Sequence, residues 1–453
     1  MNLQLVVLLA YAAVFTGVGL VVSRRVKRAD DFLVAGRSLS PGLIAATFLA
    51  ANIGAGSTVN ASALGYVYGI SAWWWVGSAG LGSLILANTV GPKIWTLAAE
   101  HGWRTVGDFL DARFNRSVRG LIAVLLWAAT LMILAGQLIA MSAIFDVVAG
   151  MSKWEGCVLG GAIVTAYFAA GGLLSSAWVN LIQLVVKLTG FIVAIPFAIA
   201  AAGGWGAIQP ALRQATPLGA TGTLSWIVIL VPSFIISPGL VQKLYGARDA
   251  RAARIGVNWN AIGLLLFAFA PPILGAVAHT RFPNLANHDQ ALPVVYTKLM
   301  PPWIGLLTLA ALFSAEVSAS DAVLFMLSSS LSIDLYKRFV RPDASDRRIL
   351  AVGRVAAVVG AACGVVFAVA LPSIISALTI FYTIMTVALA APFLVGLYSR
   401  RPTAAHAIAA IVVSVVVTAL TRSAIVGIVP GFLIMLVGAA RSVERGTPKG
   451  NAG

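Results

Sequence analysis

The sequence predicts an all-α, polytopic membrane protein of about thirteen transmembrane helices, each an apolar run long enough to cross a bilayer. Three observations predict it. Of the 453 residues, 60% are hydrophobic and only 10% charged, with a mean hydropathy of +0.94, and a soluble domain of this length does not carry so apolar a composition. The apolar residues fall in uninterrupted runs of roughly 18 residues or more, the length a helix needs to span the hydrocarbon core. The basic residues alternate from loop to loop, as the positive-inside rule requires.

The runs lie near 3–22, 41–69, 72–97, 119–149, 154–172, 177–203, 222–245, 255–279, 302–336, 349–370, 373–398, 403–421 and 424–440. The first has no basic segment before it and no small-residue cleavage site, and RRVKR follows it, so a retained anchor is expected. The second is interrupted by ANIGAGSTVNAS, and the third opens on Trp73, Trp74 and Trp75. Between the third and fourth, EHGWRTVGDFLDARFNRSVR mixes aromatic and basic residues and reads as a short surface amphipathic helix. The fifth and tenth hold Cys157 and Cys363, expected to be packed thiols. The sixth carries Asn180 and Lys187, and the seventh breaks at VPSFIISPGLVQ. The ninth keeps Glu316, Asp321 and a row of serines, where a carboxylate costs a few kcal/mol unless it serves an ion, a substrate or a relay. The last three are apolar throughout.

The net charge of +16 does not point to nucleic acid, because its distribution is topological. One set of loops holds Arg24, Arg25, Lys27, Arg28 and Arg37, Lys93 to Arg119, Lys243 to Arg254, Lys337 to Arg348, Arg400 and Arg401, and Arg441 to Lys449. The other set holds only Lys153, Arg213, Arg281, Lys298 and Arg422. This expects the N-terminus outside and the C-terminus in the cytoplasm, in the cell (inner) membrane, with the lipid bilayer as partner. The four histidines, His101, His279, His288 and His406, lie near loops and do not converge with a nucleophile, so no enzyme, cofactor or metal cluster is expected. A transporter-shaped channel or sensor remains the competing class, although no output domain is attached.

Two runs break near their middles, and they are five helices apart. An odd offset reverses direction across the membrane, so two related sets of five helices form an inverted repeat with discontinuous helices at matching positions, the arrangement of a secondary transporter's binding site. Counting Glu316 and Asp321 at 100° per residue puts them on opposite flanks of the face formed by Ala315, Ser318 and Ala319.

At these residues the chain resembles the sodium:solute symporter family over nearly its whole length. The resemblance rests on DFLVAGRSLSPGLIAATFLAANIGAGSTVNASALGYVYG from Asp31, AYFAAGGLLSSAWVNLIQ from Ala166, LVQKLYGARDARAAR from Leu240 and SASDAVLFMLSSSLSIDLYK from Ser318. It implies a LeuT-type fold: an extra N-terminal helix (1–28), a 5+5 inverted-repeat core (38–400, helices two to eleven, with helices two and seven broken), and two C-terminal helices with a short tail (401–453), as a single transporter domain. It also implies a sodium ion between helices two and nine, held by the carbonyls of Ala50, Ile53 and Ala315 and by the Ser318 hydroxyl. Ala319 stands at the second hydroxyl position and supplies none.

Two further departures concern the same place. Asn180 replaces a usual acid, and Lys187 lies two turns further along helix six, about 15 Å from its end. Glu316 stands where the family is apolar, whereas Asp321 matches the family's acid. Lys187 is expected to pair with Glu316; Asp321 or a water-filled cavity is its alternative partner. Loss of one hydroxyl and of the nearby acid, with gain of an amine, leaves two readings of the coupling: sodium, or a proton-coupled or uncoupled carrier in which Lys187 stands in for the ion.

The expected substrate lining is Asn52, Gly56, Ser57, Thr58, Trp75, Ser233, Ser237 and Gly239, the last where many members have a gating tyrosine. Gly56, Ser57, Trp75, Val76 and Ala79 offer a sugar few partners. Helix N-termini at the two breaks favour a small organic acid or an amino acid. Oligomeric state is left open.

Overall fold

The computed structural model describes residues 3–23, 33–169, 173–214 and 218–440. The basic run at 24–28 and the basic tail after 440, both used in the topology argument, lie outside the described residues. In chain order the helices are α1 (Leu3–Ser23), α2 (Pro41–Asn52), α3 (Val59–Tyr68), α4 (Trp73–Ile85) and α5 (Gly91–His101). These are followed by α6 (Val106–Arg113), α7 (Arg116–Ala149), α8 (Lys153–Ala169), α9 (Leu173–Ala201), α10 (Trp205–Gln214), α11 (Gly219–Ile236) and α12 (Pro238–Tyr245). The remainder are α13 (Ala250–Phe267), α14 (Ala270–Arg281), α15 (Ala291–Lys298), α16 (Pro302–Ser329), α17 (Asp346–Ala370), α18 (Ile374–Tyr398), α19 (Ala404–Thr421) and α20 (Ala424–Ala440).

Among the described residues nine helical segments are long and apolar enough to cross a membrane. The outward faces of α9, α17 and α19 present Ile182, Val185 and Ile192, Val355, Val358 and Val366, and Val412, Val416 and Leu420. Aliphatic surface of this extent belongs against lipid, while the polar side chains of α9 and α16 turn inward. The molecule is a multi-pass membrane protein.

Both breaks follow from local chemistry. α2 starts with Pro41 at its first turn and Ser40 accepting from Leu43 N, and it ends at Ile53, whose ψ of 89° leaves the helical region. The freed groups are satisfied within the break: Ser57 Oγ donates to Asn52 O at 2.7 Å, Gly54 N donates to Ser57 Oγ, and Ser57 N donates to Gly54 O at 3.0 Å. In the seventh run Ser237 (ψ 120°) leaves the helix and Pro238, with no N–H to extend a ladder, starts α12. The two discontinuous helices are joined, since Leu39 N donates to Gly246 O and Arg248 N to Leu39 O. α9 packs along α16, and α2 packs against both.

The loops grouped by their positive charge meet at one end. Arg37 donates to the carbonyls of Ala98 and Trp103, and Arg113 to those of Ser399 and Pro402. At the other end Tyr66 donates to Phe282 O and Gln290 to Asp146.

Five local readings change. Lys243, counted above as a loop charge, is buried with Nζ donating to Thr47 O at 3.1 Å. Arg119, counted likewise, is buried among Asp108, Asp111 and Asp334 at 2.9, 3.2 and 2.8 Å. The single amphipathic helix expected over 100–119 is the end of α5, all of α6 and the start of α7, divided where Thr105 and Asp108 form a capping box. The eighth run divides at Ala268–Phe269, and the ninth ends in a wider π turn over Ser330–Val340.

Candidate functional site

The last turn of α2 points its carbonyls at α16 because the chain stops being helical at Ile53. A regular helix would have consumed them. Lys187 Nζ of α9 donates to Ala50 O at 3.1 Å, to Ile53 O at 3.3 Å and to Ser318 Oγ at 2.7 Å. The Ser318 hydroxyl has the carbonyls of Ala50 and Ala315 each at 3.1 Å. Three of the five positions expected around a cation, Ala50, Ile53 and Ser318, therefore bond this amine, and a fourth, Ala315, reaches it only through the Ser318 hydroxyl. The fifth, Ala319, is buried against the break, where a Cβ on Gly54 would overlap its methyl.

These oxygens suit sodium, a hard cation, and they suit an ammonium equally well. They do not hold both at once while Nζ bonds three of them. Among the described residues no group of three His, Cys, Asp or Glu could hold another metal.

Lys187 and Glu316 interact electrostatically, but the direct ion pair expected from the sequence is replaced by the amine's contacts with α2 and Ser318. Glu316 is buried with Oε1 accepting from Thr58 Oγ1 at 2.8 Å. The reason is rotational: position 316 faces the broken segment 54–58, and position 318 faces the end of α2. Asp321 interacts electrostatically with Lys243. Asn180 is buried on α9, two turns before Lys187.

Beside this cluster the two breaks line a partly open cavity of about 80 Å³. Asn52, Gly56, Ser57, Trp75, Ser233, Ser237 and Gly239 line it. Thr58 does not, being turned toward Glu316. Asn52 Nδ2 donates to Asn260 Oδ1, and Ser233 bonds Thr386 at 2.7 Å, so both hydroxyl and amide are already engaged with neighbouring helices.

Three polar lining residues escaped the sequence reading. Gln137 of α7 accepts from Ala55 N at 3.0 Å and so holds the first break; its signal was a lone amide in the middle of an apolar run. Tyr382 of α18 meets Trp75 edge-to-face, and nothing in its surroundings distinguished it. Lys243 looked like a loop charge, although its place six residues into an eight-residue helix after a break put it inside the fold.

A profile of the sodium:solute symporter family matches residues 32–414. The chain is 26% identical over 464 residues to the sodium/glucose cotransporter of Vibrio parahaemolyticus, covering 91% of this chain and 84% of that one. It is 25% identical over 367 residues to the sodium/pantothenate symporter of Escherichia coli (76% and 74%) and 24% identical over 371 residues to the sodium/proline symporter of the same organism (78% and 74%). In fold it is similar to a Na+-coupled sialic acid symporter in its substrate-bound outward-open state, with a TM-score of 0.80, 19% identity and 99% of each chain covered. It is also similar to Mhp1, a nucleobase-cation-symport-1 family transporter, with a TM-score of 0.55 and 17% identity over 92% of this chain and 95% of that one.

Proposed function

The chain belongs to the sodium:solute symporter family, with a LeuT-type fold, and from that premise we propose that it carries a small organic acid or amino acid by alternating access with the Lys187 amine in place of the coupling cation. One observation carries the reading: Nζ lies within hydrogen-bond distance of Ala50 O, Ile53 O and Ser318 Oγ together. A protonated amine there does what a bound cation would do, tying the broken end of α2 to α16. Loss of that proton removes the charge that holds the two helices together. Glu316, with Thr58 as its donor, provides the nearby countercharge.

Sodium coupling is the second reading. Family membership and the sodium-coupled relatives favour it, and it requires Lys187 to withdraw before the ion enters. Two of those relatives move pantothenate and proline, both carboxylates at neutral pH, which supports an acid as substrate. In this proposal the core spans 38–400, flanked by the extra helix at 1–28 and the segment 401–453. The C-terminus lies in the cytoplasm and the N-terminus outside the inner membrane, because the basic loops gather at one end.

The test is uptake of radiolabelled proline, pantothenate and propionate into proteoliposomes, with sodium or choline outside and pH stepped from 5.5 to 8.5. Uptake unchanged by choline supports the amine. Uptake that disappears without sodium supports the second reading, and failure of every solute to accumulate against its gradient points to a channel or sensor.

A further inference from the structure

The cavity between the two breaks has one cationic side chain in its lining, Lys243, and among the described residues no carboxylate. The remainder is largely apolar, with Trp75, Phe234, Phe381 and Tyr382 forming an aromatic wall. Lys243 belongs to α12, the short helix that begins at the second break. Gly239, four residues earlier, also lines the cavity, so the first turn of α12 and the lysine share one helical face.

That first turn adds a second source of positive potential. Ser237 makes no side-chain cap, and Val241 N is the first amide of the turn bonded back to it. The amides of Gly239 and Leu240 precede it, in the part of a helix where N–H groups have no partner within the helix. Gly239 lets a ligand approach this backbone closely. The amine has three donors, of which Thr47 O takes one. Asp321 interacts electrostatically with Lys243 and does not line the cavity.

We propose that Lys243, with the first turn of α12, binds the carboxylate of the transported solute. The geometry further assigns the substrate class: an organic anion with an apolar body packed on Trp75 and Tyr382, and no strongly basic group, since the lining offers no acid to receive one. This deepens the transporter reading and rests on it for the word substrate. It does not rest on what fills the cation position.

The experiment is equilibrium binding to the purified full-length protein in detergent, without any ion gradient, using matched pairs: benzoate against benzamide and propionate against propionamide, with proline and glucose alongside. Wild type is expected to bind each acid roughly tenfold to a hundredfold more tightly than its amide, the range of one charge-assisted hydrogen bond. Lys243→Gln is expected to lose that preference while retaining the amide's affinity, and Lys243→Arg to keep it. Should Lys243→Gln fold poorly, the pair Lys243→Gln with Asp321→Asn keeps the charge balance and is read in the same way. Equal affinity of wild type for acid and amide overturns the assignment, as does a Lys243→Gln protein that still prefers the acid, or tighter binding of proline than of both simple acids. Because no gradient is present, any of these results stands whether uptake depends on sodium or not.

Discussion

Lys187 Nζ lies 2.7 Å from Ser318 Oγ, and through this contact a side chain of α9 closes the gap between α16 and the broken end of α2. The oxygens and the amine that bonds them are thus encoded in one chain. If the amine excludes sodium, removing it and restoring the absent hydroxyl should admit the ion. Lys187→Ala with Ala319→Ser is expected to gain sodium-dependent thermal stabilisation of about 1.4 kcal/mol at sodium ten times its Kd. Wild type should show none, and potassium should serve as the inert control.

At Gly54 the broken segment passes so close to α16 that a Cβ there would overlap the Ala319 methyl. Gly54→Ala should therefore destabilise by about 1–3 kcal/mol. Ala319→Gly in the same protein should recover much of that loss, and denaturation midpoints of the two singles and the double give the coupling.

Arg119 is buried and salt-bridged to Asp108, Asp111 and Asp334, joining α6, α7 and the π turn after α16. Arg119→Met leaves three acids without their shared cation and should cost about 3–5 kcal/mol. Because the cluster is shielded from solvent, added salt should change that loss little. An exposed pair such as Arg248 with Asp249 should give a loss of about 0–1 kcal/mol.

Asp289 sits in the loop before α15, where it accepts from Ile374 N at 3.2 Å. Burial pushes its carboxyl above the usual range, opposed by that amide and by Lys153 and His288. A raised acid pKa means that the folded state favours the protonated form, so acidification through the folded pKa adds stability and neutral pH withholds it. Asp289→Asn should lack this gain. Its stability relative to wild type should be greatest near pH 7 and decline toward pH 4, which melting curves at each pH will show.

Much of the fold was legible because lipid enforces it. A span must be long and apolar, so the runs could be counted; backbone must not be left open in hydrocarbon, so Gly54 and Gly56 in one run and Pro238 and Gly239 in another marked real interruptions. The break inside the eighth run was missed although Pro271 and Pro272 follow it directly, whereas the π turn after α16 carried no such signal. In the site, Ala50, Ile53 and Ser318 were found through the resemblance. Thr58 was assigned to the cavity because sequence spacing does not reveal which way a residue turns in an irregular segment.

By itself the sequence determined that this chain crosses the membrane many times, breaks two helices five spans apart, and places an amine and an acid, Lys187 and Glu316, within apolar runs. Only the tertiary structure decided where those charges go. Helical spacing places Lys187 and Glu316 at similar depth, but depth is one coordinate. The rotation of α9 and α16 about their axes, set by packing against α2, brings the amine to Ser318 and the acid to Thr58. It also puts Lys243 at the cavity wall, because the break before α12 turns inward a residue whose charge alone would have left it in a loop.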